Sequence, residues 1–344
     1  MKMRPGAWAV VALTLFVLGI NSARTGEKGT AGAPKQVFAV NTGEGTVSRV
    51  DLTTMKEVER YKVGPRPYGI AVSLDGKTVA VGVEDEECVK FFTLPDFKLK
   101  GKTPIGKMFN DHIVLTNDGK DIVVANFYSD DIVGINIETM KESFRIKDLS
   151  APHVVRYGPL GKYVYVTCKK ATGVAVVDLT ERKLVKFYPL TVNPRSLTFT
   201  PDESKIFCGS HWVNGFFEAD LKTGKVSRMI ELAPPKDNAQ PQEVTYHGVQ
   251  AVHDNIVLAA NEGRSFLDAV DMKSGKLLHR LNDVSKPCCI EPIPGAKGDT
   301  ARVMLSNLGD NSLQFVDVGR DGKMTSVGKA AVGKAPKRVA FLHI

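Results

Sequence analysis

The chain has 344 residues, with 46 Lys and Arg against 38 Asp and Glu, a formal net charge of +8, and 43% hydrophobic residues. That length can bury a core without covalent staples, and five cysteines are an odd number, which argues against a complete disulfide framework. The basic residues are scattered rather than gathered into a stripe with interleaved aromatics. This sets nucleic-acid binding aside, while a diffuse positive surface suits an acidic protein partner.

Lys2 and Arg4 precede an uncharged apolar run of 14 residues at positions 7–20, shorter than the roughly 20 residues a membrane-spanning helix needs. Asn21, Ser22 and Ala23 follow. The pattern reads as a secretory signal peptide over residues 1–23, with 24–35 as a flexible Gly-, Thr- and Ala-rich lead-in. Cleavage removes two basic residues and no acidic ones, taking the net charge from +8 to +6. The expected product is an exported chain without a membrane span.

From residue 36 the chain repeats itself. Residues 67–94 contain an apolar segment (70–72), an Asp75-Gly76-Lys77 turn, an alternating run (78–83), a polar loop and a further run (89–94). Asp-Gly between such runs is a hairpin signal. With residues 99–105 added, the unit is a four-stranded meander that cannot cover both of its faces alone. Asp118-Gly119-Lys120 lies 43 residues after the first turn, and Gly161-Lys162 comes 42 further on. Pro201-Asp202-Glu203-Ser204 takes the same place with different turn chemistry. A period of that length with four strands per unit predicts a β-propeller.

Residues 36–63 supply three strands and lack an innermost one. Complete units follow at 67–106, 110–147, 152–190, 194–232, 246–282 and 287–333, and 337–344 is a lone apolar strand. The predicted fold is all-β: a single seven-bladed propeller over residues 36–344. Residues 338–342 pair with residues 37–40 to close the ring and remove its open edge. Asp51, Asp178, Asp220, Asp271 and Asp317 end third strands, with Thr93 and Asn136 in the other two units. Each is in its own blade, so these acceptors are expected to hold the following turns rather than to form a catalytic cluster.

Residues 37–41 (VFAVN) lead through a short loop to residues 47–51 (VSRVD), and Asn126, Asn261 and Asn307 occupy the place of Asn41. Tyr165-Val166-Thr167 is followed by Cys168 where an Asn would complete the tetrapeptide, and Val83 and Ser210 are the other departures. In these features the chain resembles the YVTN-type β-propellers, a resemblance specific for fold and weak for function. Over its whole length it also resembles the haem-free propeller subunits of exported multi-haem redox complexes. That second resemblance rests on no single motif. It implies a hetero-oligomer with multi-haem cytochrome-c-type subunits, with haem c in the partners and no cofactor in this chain. The absence of a C-x-x-C-H run agrees with it. Two alternatives stand beside this reading. One is a stand-alone enzyme, either a lactonase-like hydrolase or a quinoprotein-type dehydrogenase subunit. The other is a surface binding or adhesion propeller.

Aligning the units on their first turns puts Tyr68, Asp111, His153, Arg195, His247, Cys288 and Lys337 at one level, where the chain enters each innermost strand. All are polar or titratable, and a Pro precedes five of them. Two positions further on, every equivalent is apolar. This predicts a polar ring at one mouth of the central channel. With Asp111 the only carboxylate at that level, and Arg195 and Lys337 nearby, the ring is a poor calcium site. Zinc or copper through His153, His247 and Cys288 is chemically allowed. However, the three are expected to reach across the channel from non-adjacent blades, so a hydrated funnel without metal is favoured. No catalytic motif appears. Cys88, Cys168 and Cys208 read as packing residues, and Cys288-Cys289 as two buried thiols rather than a vicinal disulfide or a reactive site.

The repeat spacing rises to 52 residues between Asp202 and Asp254. The excess, 233–243, is polar and carries three prolines. A long loop in a compact repeat fold is usually functional or disordered. Glu243, Tyr246 and His247 close this one, and it is the expected contact element for a partner or an inter-subunit channel.

Overall fold

A computed structural model describes residues 33–107, 112–190, 193–210, 213–232, 246–295 and 299–342. The 28 strands among them form seven four-stranded antiparallel sheets. Six sheets are meanders of consecutive strands; these blades, second to seventh, span residues 67–104, 113–146, 152–189, 194–231, 246–281 and 287–331. The first blade combines Gln36–Asn41, Thr46–Asp51 and Lys56–Lys62 with the last strand of the chain, Pro336–Leu342.

That closure has the expected register: Val37 pairs with Phe341, Phe38 with Ala340 and Ala39 with Val339. The backbone groups of the first and last segments satisfy one another, so no sheet edge is left where the ring joins. Apolar side chains from facing blades fill the spaces between sheets. One cluster joins Phe38, Val40 and Val47 of the first blade to Val79, Val81 and Phe92 of the second, and the other clusters repeat the arrangement around the ring.

The first turns form as read. Gly76 and Gly119 have φ of 66° and 71°, where a Cβ would be strained, and the Ser73 and Thr116 carbonyls accept their N–H groups at 2.9 and 2.8 Å. In the fifth blade Glu203 takes that left-handed place, with φ of 52°.

The third-strand acceptors hold turns in most blades. Asp51 Oδ1 accepts the Thr53 and Thr54 N–H groups at 3.0 and 2.7 Å, and Asp178, Asp220 and Asp271 do the same in theirs. Asp317 differs. Its strand runs on to Gly319, and its carboxylate receives both arms of Arg302 at 2.6 and 2.9 Å. The strand-end asparagines are buried ties: Asn41 Nδ2 donates to Thr46 and Ser48 at 2.9 and 2.7 Å, and Asn126 Nδ2 to the Ile105 carbonyl at 3.0 Å.

One irregularity positions the site. The innermost strand is bulged where it begins in the first, second, fourth, fifth, sixth and seventh blades. The register slips between Pro67 and Ile70, Pro152 and Val155, Pro194 and Leu197, Tyr246 and Gly248, and Pro287 and Cys289. It slips again opposite Val40, between Val339 and Pro336. A bulge puts an extra residue against one partner and re-aims its side chain. Pro, which has no N–H to give a ladder, fits at the strand's first residue.

Candidate functional site at the channel mouth

Tyr68, His153, Arg195, His247, Cys288 and Lys337 each occupy one of these bulged steps. The level read from the alignment is thus a ring of bulges, each turning one polar residue away from the regular alternation. Asp111 and Glu243 lie outside the described residues. Tyr246 does not join the ring. It is fully buried among Phe207, Phe216 and Phe266, and its hydroxyl donates to Asp268 at 2.8 Å. Asp268 in turn takes a bidentate contact from Arg280, which makes Tyr246 part of the sixth blade's packing.

The structure draws three ring members together on one side of the mouth. His247 and Cys288 come from neighbouring blades, the sixth and seventh, and touch directly, correcting the expectation that they reach across the channel. Cys288 Sγ lies 3.2 and 3.5 Å from the two ring nitrogens of His247. Gly248 permits this approach, because a Cβ there would stand 2.7 Å from the Cys288 carbonyl oxygen. Lys337 Nζ donates to Cys288 Sγ at 3.6 Å, and the Cys289 thiol donates to the same sulfur at 3.5 Å. All five cysteines are free and buried, so the adjacent pair is a dithiol, not a disulfide.

The group that completes the cluster is Glu262. His247 Nδ1 and Glu262 Oε2 are 2.5 Å apart. Glu262 directly follows the second strand of the sixth blade, Ile256–Asn261, the place Glu84 holds after the second strand of the second blade, Thr78–Val83. Glu84 there pairs with Arg66 at 3.1 Å. Loops after second strands emerge at the same mouth as the starts of innermost strands, and this was the signal available in the sequence. His247, Glu262 and Cys288 offer nitrogen, oxygen and sulfur donors within 4.8 Å of one another. The His153 side chain is buried in the fourth blade and is not part of this cluster.

Burial would push the Glu262 carboxyl up, but the bond and charge of His247 and the charges of Lys337 and Arg195 outweigh it and hold its pKa at about 2. Burial likewise opposes ionisation of Cys288. The Cys289 hydrogen bond and the charges of His247 and Lys337 overcome that and hold the thiol well below its usual range. Elsewhere burial prevails: it pushes Cys168 and Cys208 up to about 12 and raises Cys88 despite the charges of Lys90 and Lys102. The cluster therefore combines a thiol whose ionisation is favoured and a carboxylate with two cationic side chains and an imidazole.

One layer further in, Arg156 of the fourth blade reaches across the axis. Its guanidinium donates to the Leu197 carbonyl at 3.2 Å, to Gln250 Oε1 of the sixth blade at 2.5 Å and to Glu291 Oε1 of the seventh at 3.4 Å. Arg156 and Glu291 side chains are each 14% exposed. These three residues stand three positions after His153, His247 and Cys288, beyond the apolar positions that the sequence showed. A polar bridge thus spans the axis beneath the mouth.

Fold and site together define a seven-bladed β-propeller with a polar, thiol-containing channel mouth. No protein-family model matches the chain. It is similar to a seven-bladed beta-propeller protein of Mycobacterium tuberculosis, 21% identical over 165 residues, a match covering 46% of this chain and 42% of that protein. The matched region is therefore less than half the length of that relative. Among solved structures, hydrazine synthase of Kuenenia stuttgartiensis superposes with a TM-score of 0.67 at 17% identity, covering 90% of this chain and 98% of that one. A Lactobacillus plantarum protein gives 0.74 at 13% identity, covering 90% and 99%. The dihydro-haem d1 dehydrogenase NirN gives 0.60 at 13% identity, covering 91% and 76%. These likenesses establish the propeller fold. No helix among the described residues is long and apolar enough to cross a membrane.

Proposed function

We propose that this chain is a non-catalytic propeller subunit of an exported multi-haem redox complex of the hydrazine synthase type. Such a complex makes hydrazine from nitric oxide and ammonium within the anammoxosome. The observation that carries the reading is the extent of the match: 90% of this chain superposes on 98% of a hydrazine synthase chain. A second structural relative, the dihydro-haem d1 dehydrogenase, is also a haem-linked redox protein by its name. With no C-x-x-C-H run in the sequence, haem c is assigned to the partner subunits, and the propeller positions them.

The contact element in this reading is the segment between Leu232 and Tyr246, which joins the outer strand of the fifth blade to the innermost strand of the sixth beside the His247–Glu262–Cys288 cluster. Residues 233–245 themselves lie outside the described residues. Their three prolines restrict the unbound chain and lower the ordering cost of binding. Arg156 bridges the axis, so a route between subunits in this reading passes along the mouth rather than through the propeller.

The test is purification of the tagged chain from its own cells. The reading expects cytochrome-c-type polypeptides to co-purify in fixed ratio and the isolated chain to have no visible absorbance. A chain recovered alone, or one active by itself with an added cofactor, overturns it. Deleting residues 235–241 should abolish assembly. If the shortened chain still assembles and the complex keeps full activity, the segment is a spacer.

A further inference from the structure

The cluster at the mouth has a donor set that positioning partner subunits does not require. We propose that Cys288 Sγ, an imidazole nitrogen of His247 and Glu262 Oε2 bind one thiophilic transition-metal ion of the copper(I) and zinc(II) class.

The spacing carries the proposal. In a tetrahedral site with metal–sulfur bonds of about 2.3 Å and metal–nitrogen and metal–oxygen bonds of about 2.0 Å, neighbouring donors stand about 3.3–3.8 Å apart. Cys288 Sγ lies 3.2 and 3.5 Å from the imidazole nitrogens. All three donors lie within 4.8 Å of one another, and the 2.5 Å between His247 Nδ1 and Glu262 Oε2 is the short spacing. The two are hydrogen-bonded, and an ion taking the proton's place would widen the spacing by roughly 0.8 Å. Glu262 is the donor with freedom to yield, because it leaves a strand end and is 29% exposed, against 2% for His247.

The other donors are preset. His247 and Cys288 are held in bulged steps of adjoining strands whose backbones meet at Gly248. The arrangement therefore has a rigid, water-excluded sulfur and nitrogen wall and one accessible side, at the carboxylate. Thiolate and imidazole together suit copper and zinc, not calcium or magnesium. The carboxylate donor suits zinc(II) better than copper(I), whose preference is for sulfur. The inference is independent of the subunit reading and survives its failure.

The test uses the full chain, purified reduced and metal-free. One arm titrates copper(I) without oxygen against a chromophoric chelator, and another titrates zinc(II). Bound metal is counted by mass spectrometry. One ion per chain is expected in at least one arm, and the arm that binds more tightly names the ion. Cobalt(II), used as a probe, should give a thiolate-to-metal absorption band that Cys288→Ser abolishes. Affinity should fall about 10- to 100-fold in His247→Gln and in Glu262→Gln. Cys208→Ser, in the fifth blade, should leave it unchanged. Glu262→Gln alters a partly exposed side chain and keeps the test valid if the core variants misfold. The proposal is overturned if the folded wild-type chain retains no stoichiometric ion in either arm. It is equally overturned if folded Cys288→Ser or Glu262→Gln binds as tightly as the wild type.

Discussion

Arg156→Met removes the charge at the centre of the bridge across the axis while keeping much of the side chain's volume. Three hydrogen bonds are lost, all to groups on other blades: the Leu197 carbonyl, the Gln250 amide and the Glu291 carboxylate. The larger effect is on Glu291. Its side chain is 14% exposed, and Arg156 is its ion-pair partner. Breaking a buried pair by removing one partner costs about 3–5 kcal/mol. The residual exposure puts this case near the lower end, at about 3 kcal/mol. With a urea m-value of about 3 kcal/mol per molar for a chain of this size, the unfolding midpoint should fall by about 1 M. Adding Glu291→Gln should restore most of the loss, because deleting a buried pair altogether is often close to neutral. Denaturation followed by tryptophan fluorescence and by circular dichroism checks both variants. A midpoint shift below about 0.2 M for Arg156→Met would show that the bridge contributes nothing net. A double variant no better than the single one would show that the cost comes from packing rather than from the stranded carboxylate.

Truncation after Ala335 removes the strand that pairs with Gln36–Asn41. The shortened chain should lose cooperative unfolding and associate through the bared edge, seen by calorimetry and size exclusion. Glu218, 2% exposed, is held by Lys205 at 2.8 Å and Arg228 at 2.7 Å. Burial raises its pKa, but these partners and Ser227 prevail and lower it below the ordinary 4.5. Its contribution is thus present above pH 4.5 and lost as pH falls through the lower folded value, so Glu218→Gln should flatten the stability profile on the acid side of pH 4.5 in equilibrium unfolding. Cys168→Ser puts a hydroxyl at a fully buried site and should cost about 1–3 kcal/mol in unfolding experiments. If the chain has the proposed subunit role, assembly and activity of the complex should nevertheless remain in the folded variant.

Much of the architecture was legible because it is built from local rules repeated seven times. Asp75-Gly76 and Asp118-Gly119 mark tight turns whose glycines sit at positive φ. The missing strand at residues 36–63 and the spare one at 337–344 announced the closure. The six described mouth positions also stood out, because a Pro before a polar residue marks five of the places where an innermost strand begins. The short-range reading failed where the strand simply ran on, as at Asp317, which meets Arg302 across the sheet instead of holding a turn. It also failed for Tyr246, whose place beside the long loop concealed a core position.

What the tertiary structure alone decided is which of those ring residues meet. Repeat period assigns a residue to a level, but it does not say how a bulge turns its side chain. The bulges come from inter-strand register, which depends on partners distant in sequence. Hence His247 and Cys288 were at the right level, while their 3.2 Å contact was not foreseen. Glu262 belongs to a different loop of the same blade, and Arg156 meets residues 94 and 135 positions away. The sequence determines a closed ring because hydrogen bonding and apolar alternation are local and additive. The chemistry at its mouth depends on a few charges and donors brought together by ring closure, and their energies are set by desolvation and mutual proximity, which no single blade possesses.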